Sequence, residues 1–207
     1  MAGAIWLESN MKFKMPTRTT VKGRVTTVRN SAFNGILPIE KPDVEDILFI
    51  KEKLGTSGNN FLCGYCGKVS ATQTDHINPL IVNGKPSGYI HEISNLIPSC
   101  YSCNSIKSND TLELFLSNKK FTGKLNETEL ITRKQILKEY QEYFIEKYGN
   151  LVKLNFEEIV DDSLWKDYLK KTEEIYKLMR ATADMYKQIK KELSAYYLTN
   201  KRELKGK

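Results

Sequence analysis

Apolar positions recur with helical spacing through most of the second half of the chain. From Glu127 to Tyr148, Leu130, Leu137, Tyr140 and Phe144 fall on one side of a helix that Gly149-Asn150 ends. The longest pattern runs from about Asp162 to Thr199. Trp165, Tyr168, Thr172, Ile175, Met179, Thr182, Tyr186, Ile189, Leu193 and Tyr196 follow one another at alternating spacings of three and four. Such a heptad seam needs a partner helix. The candidates are the 127–148 helix folded back on it, or its own copy in a second subunit. The 127–148 helix is the shorter of the two, which favours a homodimer through the C-terminal helices.

The first half is patterned more briefly. After Pro38 and Pro42, Asp43 reads as the cap of a helix ending at Leu54. Asp46 falls in its first turn, Val44, Ile47, Leu48 and Leu54 form a face, and Gly55 is the stop. Residues 17–30, TRTTVKGRVTTVRN, are rich in Thr and Val and read as an extended basic arm or strand. Val21, Val25 and Val28 nevertheless do not alternate strictly. Lys68 to Ile77 reads as a strand. Ile81–Tyr89, with Asn83-Gly84 and Pro86-Ser-Gly88, reads as a wide loop or hairpin. A short helix is expected after Cys103, and Asp110-Thr-Leu-Glu113 resembles a capping-box start for another with Leu112, Phe115 and Leu116 as its face. The expected fold is α+β and mostly helical.

Charge sharpens this picture. The net charge is +7, and residues 11–30 hold Lys12, Lys14, Arg18, Lys22, Arg24 and Arg29 without one acid. A polyanionic partner suits that segment, with Arg18, Lys22, Arg24 and Arg29 as candidate nucleic-acid contacts. A solvated edge strand or leader explains the same residues. No run of 18 apolar residues exists, so no membrane span is expected. The apolar start, Met1 to Leu7, is short and lacks a basic lead-in, so it does not read as a signal peptide and a cytoplasmic location is expected.

The chemistry is concentrated between Cys63 and Lys107. The segment reads Cys63-Gly-Tyr-Cys66, Thr74-Asp75-His76-Ile77-Asn78-Pro79, Ser94-Asn95-Leu96, then Cys100-Tyr-Ser-Cys103-Asn104-Ser-Ile-Lys107, and it holds all four cysteines of the chain. Two Cys-x-x-Cys pairs suit a tetrahedral zinc ion whose four thiolates, Cys63, Cys66, Cys100 and Cys103, leave no open position for substrate. Such a zinc holds shape and does no chemistry. Disulfides or buried free cysteines are the alternatives, and the lack of a visible secretory signal disfavours disulfides.

This segment resembles the HNH, or ββα-metal, endonuclease family in its four-Cys zinc subtype. The shared pattern is C-x-x-C, D-H-I-x-P, a Gly-containing loop with Gly84 and Gly88, N-L, and C-x-x-C-N-x-x-K. The resemblance makes His76 the first H, Asn95 the middle N and Asn104 the third position, where many members have His. It implies that Asp75 and Asn104 hold a catalytic divalent cation, Mg²⁺ or Mn²⁺, and that Asn95 ties the loop carrying the histidine. The residue chemistry is compatible: a neutral imidazole can take a proton from water, and oxygen donors suit a hard cation beside a phosphate. Lys107, one turn past Asn104, is a phosphate contact or a solvated lysine, and Ser108 is a weaker ligand candidate. His91 touches DNA or the cation, or is simply a structural or solvated loop histidine.

Three segments follow from this reading: a basic arm and helix over 1–60, a nuclease core with its zinc over 61–121, and a helical region over 122–207. The expected activity is metal-dependent hydrolysis of phosphodiester bonds in double-stranded DNA, in the manner of a homodimeric restriction endonuclease. Phage, mobile-element or antiphage nucleases and junction resolvases share the same signature. A zinc-stabilised nucleic-acid-binding module without catalysis is the alternative of another class.

Overall fold

The computed structural model describes residues 20–205, and the side chains of residues 20–201. Arg18 and the other cations before residue 20 lie outside the described residues. The described chain divides into two units, 29–172 and 20–28 with 173–205.

Helix α1 (Val21–Asn34) occupies the stretch expected to be extended. Val21, Val25 and Val28 are spaced by four and three, which is one face of a helix, and the missing alternation was that signal. Thr20 caps the start, its Oγ1 accepting from the Gly23 amide at 3.1 Å. Helix α2 (Val44–Leu54) starts at the expected Asp43 cap, which forms a capping box with Asp46, and Gly55 closes it. Its inward face differs from the expected one. Asp46, Ile50 and Leu54 are buried, whereas Val44 and Leu48 are exposed.

Three two-stranded antiparallel ribbons follow: β1 (Thr56–Ser57) with β2 (Asn60–Phe61), β3 (Gln73–His76) with β6 (Leu96–Ser99), and β4 (Ile81–Val82) with β5 (Lys85–Pro86). The strand expected over Lys68–Ile77 is thus only its last part. In the β3–β6 register Asp75 faces Ile97 and His76 faces Leu96. The β4–β5 hairpin turns on Asn83 (φ 50°) and Gly84 (φ 76°), the left-handed pair that a tight two-residue turn requires. Helix α3 (Tyr101–Lys107) starts two residues before Cys103, with Cys100 as its cap. Helices α4 (Leu112–Ser117), α5 (Lys119–Thr122), α6 (Glu127–Tyr148) and α7 (Phe156–Ile159) complete the 29–172 unit together with the first turns of α8 (Asp162–Lys205). Thr111, rather than Asp110, caps α4.

One core holds the unit together. The four cysteines, Tyr65, Ile77, Ile93 and Ile97 pack with Ile50 and Leu54 of α2, Phe115, Phe121, and Leu137, Tyr140 and Phe144 of α6. The α6 face read from sequence is therefore committed to the zinc-side core. Lys147 ties the end of α6 to the start of α2 through Asp43 and the wholly buried Asp46, each at 2.9 Å. A second cluster joins Phe33, Leu37, Leu80 and Ile81 to Phe156, Tyr168 and Leu169. The first turns of the α8 seam, at Tyr168, pack here. Farther on, Ile175, Ile189, Leu193 and Tyr196 are exposed.

Candidate active site

Two short turns bring the cysteines together. Cys63-Gly-Tyr-Cys66 sits between β2 and β3, and Cys100 to Cys103 begins α3 directly after β6. Antiparallel pairing of β3 with β6 closes the intervening chain into a loop, so the two turns meet at its base. All four Sγ atoms are buried and lie within 4.8 Å of one another, and all four cysteines are free of disulfides. A zinc ion with bonds of about 2.3 Å sets its four sulfurs about 3.8 Å apart, so the cluster fits it. Hydrogen bonds from Cys103 and Cys63 push the Cys66 thiol down, toward the thiolate that a metal takes. Zinc would be held by these four sulfurs and would serve as a brace.

On the loop side of the ribbon lies a cleft of about 370 Å³. Thr74, Asp75 and His76 line it from β3, Pro79, Leu80 and Ile81 from the chain after it, and Asn104, Ser108 and Asn109 from the end of α3. Asn30 and Asn34 line it from α1. His76, Asp75 and Asn104, placed together by the motif, thus share one cavity.

Asp75 is nearly buried and tightly held. Its Oδ1 accepts from the His76 amide at 2.9 Å, and its Oδ2 accepts from the Tyr65 hydroxyl at 2.8 Å. Lys107 Nζ stands 3.6 Å from Oδ2. Burial pushes the carboxyl up from its ordinary range against the opposing pull of Lys107 and Tyr65. A carboxylate has about four lone-pair positions, so oxygen capacity remains for a cation. Asn104 directs its amide nitrogen to Gln73 Oε1 at 2.9 Å, which leaves its oxygen as the free end. Asp75 and Asn104 therefore offer the hard donors that Mg²⁺ or Mn²⁺ prefers.

His76 is half-buried. Its Nε2 lies 2.9 Å from His91 Nδ1, and the two rings meet edge to face at 61°. Burial, then His91 and Lys107, hold its pKa well below the usual imidazole value, at about 4. The ring is neutral at physiological pH, as a proton acceptor must be.

Lys107 departs from both sequence readings. It is fully buried, and its Nζ donates to the His76 carbonyl at 2.6 Å while pairing with Asp75. A lysine so placed supports the Asp75-His76 backbone from beneath and reaches neither phosphate nor solvent. A spacing of three places it on the same helix face as Asn104, but that face turns inward at this point. His91 departs likewise from a contact with DNA or cation. Both of its ring nitrogens are engaged, Nε2 lying 3.2 Å from the Asn34 carbonyl oxygen.

Asn95 is wholly buried and does not line the cleft. Its Oδ1 accepts from the Asn78 amide at 2.8 Å, and its Nδ2 donates to the carbonyls of Asn78 at 3.1 Å and Ile90 at 3.4 Å. One amide thus fastens the chain just after His76 to the chain just before His91. Its place is organising, not within reach of a reacting atom. Ser108 lines the cleft in a left-handed conformation (φ 49°) at the end of α3.

Among the candidate nucleic-acid contacts, Lys22 and Arg24 are exposed on α1. Arg29 is half-buried with its guanidinium against Gly84, where a Cβ would collide with it. Sequence reasoning did not single out Tyr65, Gln73, Asn30, Asn34 or Asn109. The available signal for the amides was their number, since short polar side chains near a phosphate site supply neutral donors.

Residues 63–110 match the family model described as HNH endonuclease. No curated protein and no solved structure matches the chain. No helix among the described residues is long and apolar enough to cross a membrane.

Proposed function

Taking residues 63–110 as an HNH endonuclease module with a four-cysteine zinc site, we propose that the chain is a metal-dependent DNA endonuclease that cuts double-stranded DNA at specific sites as a homodimer. The observation that carries this reading is the meeting of His76, Asp75 and Asn104 on one polar cleft. His76 takes the proton of the attacking water. Asp75 and Asn104 would hold Mg²⁺ or Mn²⁺, which when bound neutralises charge on the phosphate and the departing oxygen. Asn95 and Lys107 keep Asp75 and His76 of β3 in place. Lys22 and Arg24 add positive charge along the DNA backbone. A homodimer sets one cleft on each strand, the arrangement that suits a symmetric site.

Nicking of supercoiled plasmid with and without Mg²⁺ or Mn²⁺ tests the reaction. Activity is expected only with the cation, and His76→Ala is expected to lose at least ~10²-fold. A variant that cleaves as fast as its parent removes His76 from the mechanism. Protein that binds DNA but never cuts it supports the binding-module alternative. Discrete fragments on plasmids of known sequence are expected, and a smear would end the restriction reading.

A further inference from the structure

The two histidines of the chain stand in series, and the order of donors along that series is fixed by its last member. Asn34 is the final residue of α1, where carbonyls lack an intrahelical partner. A carbonyl oxygen can only accept. His91 Nε2, 3.2 Å from it, must therefore carry a hydrogen. In a neutral His91 the other nitrogen, Nδ1, is then a bare acceptor. His76 Nε2, 2.9 Å away, must be the donor to it. That leaves the lone pair of His76 on Nδ1.

We propose that His91 is a positioning residue that locks the His76 imidazole in its Nε2–H tautomer, so that Nδ1 is the atom that takes the proton from water. The proposal rests on the nuclease reading for its chemistry, though not for its geometry. In the step it serves, the water oxygen bonds to phosphorus and its proton passes to His76 Nδ1. The bond from phosphorus to the leaving oxygen breaks, and that oxygen is protonated from solvent. His76 becomes an imidazolium whose Nε2–H still donates to the His91 lone pair, so the ring keeps its orientation through the step.

The backbone around His91 is built to hold this aim. Its amide donates to the Pro38 carbonyl at 3.3 Å and its carbonyl accepts from Glu40 at 2.9 Å, so Pro38 and Glu40 grip it from both sides. The residue before it is held by the Asn95 amide. A histidine needed only for bulk would not require two directional ring bonds and a stapled backbone.

Long-range proton–nitrogen NMR of the 207-residue chain, labelled with ¹⁵N on its histidines, reads the tautomer directly at neutral pH, and only two rings have to be assigned. The parent is expected to show His76 as Nε2–H, and His91→Phe a mixture of tautomers. In plasmid nicking, His91→Phe should lose on the order of 10²-fold in kcat with little change in KM. His91→Asn, which restores an oxygen acceptor near the position of Nδ1, should stay within several-fold of the parent. Thermal melts establish that each variant is folded, and a His91→Phe chain that does not fold leaves the parent spectrum and His91→Asn to decide. The proposal is overturned by a parent His76 carrying its hydrogen on Nδ1, as a cationic His91 would impose. A folded His91→Phe of full activity overturns it as well, and so does a folded His91→Asn as impaired as an inactive His91→Phe. Loss of the nuclease reading looks different: His76→Ala is then unaffected while the spectrum is unchanged.

Discussion

The Tyr65 hydroxyl donates to Asp75 Oδ2 at 2.8 Å, and Tyr65 is one of the two residues between Cys63 and Cys66. The ring is itself wholly buried against Phe115. The brace and the cleft are thus joined by one side chain. Tyr65→Phe removes only that hydroxyl. A hydrogen bond to a charged group contributes about 1.5–3 kcal/mol, so the half-saturating Mg²⁺ concentration is expected to rise about tenfold or more. Zinc content, measured by atomic emission on the purified protein, should stay at one ion per chain. An unchanged Mg²⁺ titration would show that the hydroxyl does not tune Asp75.

Lys107 supports the same carboxylate from inside the fold. Removing one partner of a buried pair leaves the other uncompensated and costs about 3–5 kcal/mol. Lys107→Met should therefore lower the melting temperature markedly, and adding Asp75→Asn should recover part of the loss. If Lys107 were a phosphate contact, the melt would be unchanged and the salt dependence of DNA binding would weaken instead.

The depressed pKa of His76 sets two pH dependences. The folded value, about 4, lies below the ordinary 6.5, so between them the unfolded chain binds more protons than the native one. Stability from this group is complete above about pH 6.5 and declines as pH falls toward 4. The acid limb of kcat/KM should likewise lie nearer pH 4 than 6.5, and a nearby divalent cation pushes it the same way. A profile of nicking rates at fixed Mg²⁺ checks this. An acid limb near 6.5 in protein that is still folded would mean that His76 is more solvated than the structure has it.

Past the second cluster, α8 presents Ile175, Leu178, Ile189 and Leu193, at 50%, 70%, 53% and 64% exposure. Apolar residues repeated along one helix at that exposure favour pairing with another helix. Light scattering is expected to give a dimer for the parent and a monomer for Ile189→Glu combined with Leu193→Glu, with the melt of the rest unchanged. A parent that is monomeric at every concentration would leave double-strand cutting to two separate encounters.

Local rules made the helices legible. Asp43, Asn126 and Gly149 terminate α2 and α6 where their cap chemistry demands. The cysteine spacing likewise disclosed the zinc cluster, because a metal site is written in its ligands. What stayed hidden was the direction in which a side chain points once a short element packs. Lys107, at helical spacing from Asn104, is turned inward by the close of α3 against β3. His91 acquires its meaning from Asn34, which is 57 residues away, and no periodicity connects them. Over 21–30 the extended reading failed because composition, rich in Thr and Val, was weighed above a spacing that was already helical.

The amide of Asn95 stakes both ends of the segment between Asn78 and Ile90. Between those stakes the turn of the β4–β5 hairpin neither lines the cleft nor joins the second cluster, so it can vary while the distance between the two imidazoles is preserved. Under the proposed nuclease function, the module thereby separates what it cuts with from what it can read with. Exchanging the hairpin is the natural route to redirecting it toward new sequences, with its cutting parts left untouched.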